Sequence, residues 1–293
     1  MGKEHSITHT AKGCKPEERL SDYVVGKFSE LPSRKSVKKA LKKGLFRLNG
    51  KPTKSGDYVV DGDLILLKLE PKPVFEFEIP VLFEDDFIAV VDKPAGMIVS
   101  GNTFRTVEHA LPFNLKDTPS QDALLQPMPA HRLDFPTRGI LLVAKTKSAL
   151  NKLKEAFAAT SIQKTYHALT IGEMEEKGTV SNLIDGKNSV SHFEIIGFKN
   201  SGKYGKINLV RVKPITGRKH QIRKHLAHLG HPILGDQDYG SEEHLQMHKG
   251  LYLHATEIQF DHPITGEPLK FELPLPKKFT KLIKIRKDPS RPG

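Results

Sequence analysis

One segment of the chain, residues 131–144, constrains the fold more than any other. It begins with the sequence HRLD and soon reaches Ile140–Ala144, five consecutive apolar residues. A short apolar run beside a turn is typical of a buried strand. Arg132 and Asp134 therefore stand at the rigid end of a strand, which suits an active-site acid. The alternative is an ordinary surface ion pair at the mouth of a strand.

The charge balance indicates a polyanionic partner. The chain has 46 Lys and Arg against 34 Asp and Glu, a net charge of +12. Such a balance most often indicates nucleic acid, with an anionic membrane as the weaker alternative. No stretch approaches the ~18 apolar residues of a membrane span, and residues 1–15 lack the apolar region of a signal peptide. We therefore expect a soluble, cytoplasmic protein. The single cysteine, Cys14, leaves no internal disulfide possible.

Proline spacing divides the chain. Pro71, Pro73 and Pro80 punctuate a segment that we interpret as an interdomain linker. The predicted parts are a front unit at residues 15–70, the linker at 71–80, a larger unit at 81–276 and a basic tail, expected to be mobile, at 277–293.

The front unit combines two predicted helices with short strands. One helix carries Leu20, Val24 and Phe28, and the other carries Val37, Ala40 and Leu41 between a cap at Ser33 or Ser36 and Gly44. Strands are predicted at residues 45–48, 58–60 and 64–67.

The second helix and the strand after it form a basic segment. Residues 34–54 contain nine cations and no carboxylate. Phosphates offset the repulsion among such like charges, although a solvated basic face is the simpler alternative. The expected RNA contacts are Arg34, Lys38, Lys39, Lys42, Lys43 and Arg47. Together with FRLNGK and VVDGD, this helix pair resembles the alpha-L RNA-binding module shared with a small-subunit ribosomal protein, over residues 17–69.

The larger unit is richer in strands than in helices. Strands are predicted at residues 88–91, 140–144, 165–171, 192–196, 207–212 and 253–260, and helices at 148–158 and 220–229. Because the two kinds of element do not alternate regularly, we predict an α+β fold with a mixed, largely antiparallel sheet and flanking helices.

Four segments of the larger unit resemble, in order, the motifs of the RluA-type pseudouridine synthases. They are VVDKPAGMIVS, HRLDFPTRGILLVAKT, KTYHALTIG and TGRKHQIRKHLAHLGHPILGDQDYG. The chain departs from the usual pattern at Phe135, Pro136, Arg138 and Ile140. These departures concern substrate choice more than chemistry, because the acid and its arginine are retained.

The resemblance implies roles for individual residues. Asp134 is the catalytic carboxylate, Arg223 its salt-bridging arginine, and Tyr166 stacks on the target uracil and assists removal of its carbon 5 proton. Arg132 fills the gap that an everted nucleotide leaves in the RNA; a second counterion for Asp134 is the simpler alternative, and the two roles are compatible. The other expected substrate contacts are His131, Thr137, Ile222 and Leu226, although packing at the strand start is the more ordinary role of His131. A loop with Gly235, Asp236, Tyr239 and Gly240 supports the active-site helix.

The expected function is isomerisation of uridine to pseudouridine in structured RNA. Large-subunit ribosomal RNA is the preferred substrate, transfer RNA is an alternative, and a non-catalytic RNA-binding or ribosome-assembly factor is another. The reaction needs no redox change and no external atom, so we expect no cofactor, and we take the chain to be a monomer. His220, His225, His228 and His231 raise the possibility of zinc, but HExxH is missing, and we expect no metal.

Overall fold

The computed structural model describes residues 5–28, 30–31, 33–240 and 250–283. The chain separates into two compact units, which meet in sequence between Lys72 and Pro73. Each unit has a sheet and an apolar core of its own.

The front unit is a four-stranded antiparallel sheet with two helices. The strand order is β1-β4-β2-β3. Its elements are β1 (His5–Thr10), α1 (Leu20–Tyr23), α2 (Arg34–Lys42), β2 (Phe46–Leu48), β3 (Lys51–Pro52) and β4 (Leu64–Leu69).

Helix α2 forms where the apolar spacing predicts it. Ser33 caps it, since its hydroxyl accepts the Ser36 N–H while the Ser36 hydroxyl bonds back to Ser33. The helix buries Val37, Ala40 and Leu41 against the sheet. Gly44 follows with φ +70°, a left-handed conformation that glycine adopts easily.

Two predictions for the front unit were wrong. Strand β1 lies before residue 15, where the front unit was expected to begin, and it pairs with β4 along its whole length. Its only aliphatic residue is Ile7, so the alternation that marks a half-buried strand is too weak to detect. Residues 58–60 do not form a strand: Tyr58 makes one isolated bridge with Arg19, and turns on both sides end the pairing.

The larger unit is built on a ten-stranded sheet. Its order is β10-β11-β12-β9-β13-β8-β6-β5, with β14 beside β13 and β7 beside β8. The strands are β5 (Val81–Glu84), β6 (Ile88–Lys93), β7 (Ala123–Pro129), β8 (Arg138–Thr146), β9 (Gln163–Ile171), β10 (Lys177–Ile184), β11 (Lys187–Ser201), β12 (Gly205–Pro214), β13 (Leu253–Asp261) and β14 (Pro268–Glu272). The helices are α3 (Val107–Asn114), α4 (Lys147–Ala158), α5 (Gln221–His228) and α6 (Lys277–Thr280).

The sheet is mixed and largely antiparallel, as predicted. Only β13 and β8 pair in parallel among the described strands. Strand β8 is apolar on both sides, because Leu141 and Val143 enter one core cluster while Ile140 and Leu142 enter another with α4. The continuous apolar run in the sequence is therefore explained by a strand that is buried on both faces.

Strand β13 joins the two halves of the sheet. It lies between β9 and β8, two strands that precede it in the chain. The approach to β8 is close: a Cβ on Gly139, whose φ is +128°, would lie 2.1 Å from the Ala255 carbonyl oxygen. Only glycine fits this position without displacing backbone.

Several connections differ from the sequence predictions. The pattern missed two helices, α3 and α6, and four strands, β5, β7, β10 and β14. The first part of the expected mobile tail packs on the core, where Phe279 and Ile283 are buried; residues 284–293 lie outside the described range. Residues 71–80 have no regular structure, but Ile79 is buried and the Phe75 N–H bonds the His109 carbonyl.

Candidate active site

Asp134 lies in the turn between β7 and β8. The Thr137 N–H donates to the Asp134 carbonyl at 3.0 Å, which closes the turn. The Gly96 N–H donates to the Phe135 carbonyl at 2.8 Å. The loop that carries the acid is thus tied to the turn after β6 as well as to itself. The Asp134 side chain remains partly accessible, with 19% of its surface exposed.

Lys93 binds the backbone of this loop, a role that the sequence did not predict. Its ammonium donates to the carbonyls of Pro94 and Thr137, both at 2.8 Å, and to that of Phe135 at 3.4 Å. The residue is fully buried. Burial lowers the pKa of Lys93 to about 8, against the attraction of Asp134 and Asp92. A lysine ending an apolar strand was the available signal, but backbone carbonyl partners leave no mark in a sequence.

Arg223 reaches Asp134 from helix α5. Its Nη1 atom is 3.9 Å from Oδ2 of Asp134. The guanidinium binds both carboxylate oxygens of Asp236, at 2.8 Å and 2.5 Å, and Oδ2 of Asp238 lies 2.6 Å from Nη2. Burial opposes the charge of Arg223, but hydrogen bonds to these two acids raise its pKa. The guanidinium is thus a fixed cation beside Asp134.

A cavity of about 520 Å³ surrounds the acid. Tyr166 of β9 lines it, and burial, followed by the charge of Asp134, raises the pKa of Tyr166 well above its usual range. The cations on the wall are Arg132, Lys164, Arg218, Lys219 and Arg223, and the only carboxylate among the described lining residues is Asp134. The cavity therefore favours an anionic ligand.

The other predicted substrate contacts divide into two groups. Thr137 and Ile222 line the cavity, and Arg132 lines it while remaining exposed to solvent. Leu226 is absent from the described wall and is buried in the core, because it lies on the inner face of α5. That prediction was wrong.

His131 lines the cavity but is held by the protein. Its Nε2 accepts the Leu142 N–H at 3.0 Å, and its ring packs on Phe157 at 4.7 Å. Burial lowers the pKa of His131 to about 3, so the ring is neutral at pH 7. These contacts favour the packing role over direct substrate contact.

The four histidines considered as zinc ligands have different surroundings. His225 bonds the Ser189 hydroxyl at 2.8 Å, and His231 bonds the Ile171 carbonyl at 3.1 Å. His220 faces Asp134, with its Nε2 3.8 Å from Oδ1. No group of three or more potential metal ligands occurs in the described part of the chain.

Arg138, one of the four departures from the usual pattern, pairs with Asp92 of β6. Its Nη2 is 2.6 Å from Oδ2 of Asp92, and the carboxylate is buried while the guanidinium is half exposed. The hydrogen bond to Asp92 raises the pKa of Arg138, despite partial burial. The large residue at this position is thus accommodated by an ion pair.

The basic segment of the front unit presents its lysines to solvent. Lys38, Lys39 and Lys42 are exposed on α2, opposite its buried face. Acids from outside the segment pair with two other cations: Asp22 with Arg34, and Glu70 with Lys43 at 2.9 Å. Arg47 is half-buried, and its Nη1 donates to the Gly50 carbonyl at 3.5 Å. Among the six predicted RNA contacts, Lys38, Lys39 and Lys42 are therefore the best placed for an external anion.

Membrane-spanning helices are absent from the described ranges. None of their helices is long and apolar enough to cross a bilayer.

Comparison with known proteins gives consistent matches. The family model for RNA pseudouridylate synthase matches residues 87–228. Ribosomal large subunit pseudouridine synthase C of Yersinia pestis is 32% identical, over 92% of this chain and 93% of the relative. Synthase D of Vibrio parahaemolyticus is 31% identical, over 100% of this chain and 98% of the relative. The solved structure of human RNA Pseudouridylate Synthase Domain Containing 4 is 25% identical with a TM-score of 0.57, over 70% of this chain and 94% of that one.

Proposed function

The chain belongs to the RNA pseudouridylate synthase family, and on this basis we propose that it isomerises specific uridines of large-subunit ribosomal RNA with Asp134 as the catalytic carboxylate. The enzyme class follows from the family. The observation that carries the assignment of the acid is the approach of Asp134 and Arg223, 3.9 Å apart, on the wall of a cationic cavity. The names of the relatives from Yersinia pestis and Vibrio parahaemolyticus support the ribosomal substrate.

The chemistry requires one well-placed carboxylate. The bond between N1 of uracil and C1′ of ribose breaks, the uracil turns, and C5 bonds to C1′ before losing its proton. Asp134 would act at the sugar as nucleophile or as a stabilising charge. The fixed guanidinium of Arg223 nearby attracts the negative charge of this carboxylate, and that is the role we assign to Arg223.

Tyr166 is better suited to stacking than to proton removal. Burial raises its pKa, so the phenol keeps its proton at neutral pH. A neutral ring on the cavity wall offers an apolar face to uracil. We assign Tyr166 the stacking role and leave removal of the C5 proton to another group.

The target nucleotide has to leave the RNA stack to reach Asp134. Eversion costs a few kcal/mol, which contacts with the RNA must recover. Arg132 is exposed at the cavity and suits the space left in the stack, because a planar guanidinium packs well on bases. The α2 lysines of the front unit are assigned to backbone phosphates.

We further propose that the enzyme acts as a monomer and in the cytoplasm. Asp134, Tyr166 and Arg223 all come from one chain and line one cavity, which supports a monomer. A ribosomal RNA substrate implies action in the cytoplasm. No cofactor is invoked, because the isomerisation needs no redox partner and no added atom.

The test is to incubate the purified chain and Asp134→Asn with unmodified ribosomal RNA and, separately, transfer RNA, and to map pseudouridine at each position. We expect site-specific conversion in large-subunit RNA by the native chain and loss of at least about 10⁴-fold in rate for the variant, the scale seen when a covalent catalyst is removed. Binding should persist in the variant, since Asp134 carries no attraction for phosphate.

Other outcomes would revise particular parts of the proposal. Conversion confined to transfer RNA would overturn the ribosomal assignment while leaving Asp134 in place. A fully active Asp134→Asn would overturn the assignment of the acid.

A further inference from the structure

His220 stands at the cavity in an unfavourable backbone conformation. It directly precedes α5, and its carbonyl accepts the Lys224 N–H at 2.9 Å as the helix begins. Its φ of 55° and ψ of 26° lie in the left-handed region, which is costly for a residue with a Cβ. The side chain makes no hydrogen bond to cap the helix. Strain of this kind is concentrated at functional sites, where the direction of a side chain matters.

The side chain of His220 and that of Arg223 face different oxygens of the same carboxylate. His220 Nε2 is 3.8 Å from Oδ1 of Asp134, whereas Arg223 Nη1 is 3.9 Å from Oδ2. Both distances exceed a hydrogen bond, and catalytic contacts of this kind tighten when substrate binds. The two oxygens of Asp134 therefore face two different side chains, both from the start of helix α5.

Tyr239 fixes the other end of the imidazole. Its hydroxyl is 3.0 Å from Nδ1 of His220, and the two rings meet edge to face with centroids 5.8 Å apart. The same phenol ring lies under the Arg223 guanidinium, 5.0 Å away. One aromatic side chain thus contacts both groups that face Asp134.

The protonation pattern follows from the charges around the ring. If the Tyr239 hydroxyl donates to Nδ1, then Nε2 carries the proton and points it at an anionic oxygen. The reverse tautomer would direct a lone pair at that anion. Burial lowers the pKa of His220, Arg223 and Lys219 lower it further, and Asp134 and Asp238 oppose the shift.

We propose that His220 is a positioning residue for the catalytic acid: its Nε2–H, oriented by Tyr239, holds Oδ1 of Asp134 while Arg223 faces Oδ2. The remaining lone pairs of the carboxylate are then aimed at the sugar of the everted uridine. This inference rests on the proposed role of Asp134.

The experiment compares His220→Gly, His220→Gln and Tyr239→Phe on an RNA that the native chain converts. Glycine accepts the left-handed backbone, so the fold should be unaffected, and this is checked by urea unfolding. We expect His220→Gly to lower kcat by about 100-fold, the usual effect of a small misplacement of a reacting group, with little change in KM. The amide of His220→Gln can donate at the same place and should recover at least part of that loss.

A double variant tests the link to Tyr239. Tyr239→Phe should reduce kcat in the native background and should have no further effect in His220→Gly, because its action passes through the imidazole. Additive losses would overturn the link. A wild-type kcat for a folded His220→Gly would overturn the whole inference, as would a loss that matches a drop in stability and is not relieved by glutamine.

Asp134→Asn, assayed in parallel, distinguishes the two levels of the argument. If Asp134→Asn is inactive and His220→Gly is fully active, the inference fails while the proposed function stands. If Asp134→Asn is active, both the inference and the assignment of the acid fail.

Discussion

At the scale of single residues, the site depends on one guanidinium shared among three acids. Arg223 contacts Asp236 through two hydrogen bonds, Asp238 through one, and Asp134 at a longer distance. Asp236 is fully buried, whereas the Asp238 side chain is 59% exposed. The short hydrogen bonds to Asp236 therefore fix the position of Arg223, while the longer distance to Asp134 leaves that carboxylate accessible to substrate.

Removing the buried partner of Arg223 should destabilise the fold. In Asp236→Asn the guanidinium keeps its charge but loses the carboxylate that balances it inside the protein, and we expect a loss of about 3 kcal/mol or more in the free energy of unfolding. Urea denaturation measures this loss. The matched control is Asp238→Asn, which breaks an exposed contact and should cost at most about 1 kcal/mol. Equal losses of unfolding free energy in the two variants would contradict the inference that Asp236, and not Asp238, holds the arginine in place.

At the scale of elements, helix α2 packs on the core with one face and presents lysines to solvent on the other. Val37, Ala40 and Leu41 attach it to the front-unit core, and Lys38, Lys39 and Lys42 occupy the exposed side. Because the lysines contribute nothing to the core, their charge can be changed without loss of the fold. Helix α2 is therefore the element in which RNA affinity can be altered independently of structure.

Neutralising these lysines should reduce the salt dependence of RNA binding. For Lys38→Gln, Lys39→Gln and Lys42→Gln combined, the slope of log K against log salt should fall in magnitude by about 2 to 3, since each phosphate contact contributes about 0.7 to 0.9. Filter binding or fluorescence anisotropy over a salt series provides the measurement. Lys43→Gln alone is the control and should change the slope less than any one of the three, because Glu70 already pairs with Lys43. An unaltered slope in the triple variant would remove the phosphate assignment of α2.

At the scale of the whole molecule, partly or fully buried histidines make the larger unit sensitive to acid. Burial lowers the pKa of His131 to about 3 and those of His167 and His254 to about 4. The unfolded chain binds these protons near pH 6.5, whereas the folded chain resists them. Their contribution to stability is therefore complete above pH 6.5 and is lost as the pH falls toward 4 and 3.

Replacing His254 should flatten this dependence. Neither of its ring nitrogens has a hydrogen-bond partner among the described residues, so His254→Phe removes a titrating group without breaking a bond. Between pH 6 and 4.5 the free energy of unfolding should fall less steeply, by up to about 1.4 kcal/mol per pH unit, the value for one proton. Unfolding by urea at several pH values tests this. The same replacement at the exposed His192 controls for the effect of an added phenylalanine on the urea measurement.

What the sequence could predict depended on how local the interaction is. The turn with Asp134, the buried strand β8 and the apolar face of α2 are written in neighbouring residues, and each was found where the pattern placed it. The buried role of Lys93 was not predictable, because its partners are carbonyls of a loop distant in sequence. Strand β1 was missed for a related reason: its stability comes from pairing with β4, not from an apolar pattern of its own.

Because β13 lies between β8 and β9, the sheet of the larger unit can be completed only after residues 253–261 have been synthesised. During synthesis the strands that flank it leave the ribosome first, and the groove between β8 and β9 stays open until residues 253–261 emerge. Asp134 precedes β8 and Tyr166 lies on β9, so the two sides of the catalytic cleft cannot be fixed against each other before that moment. Pairings this distant along a chain form slowly. We therefore expect a truncated chain that lacks β13 to be inactive.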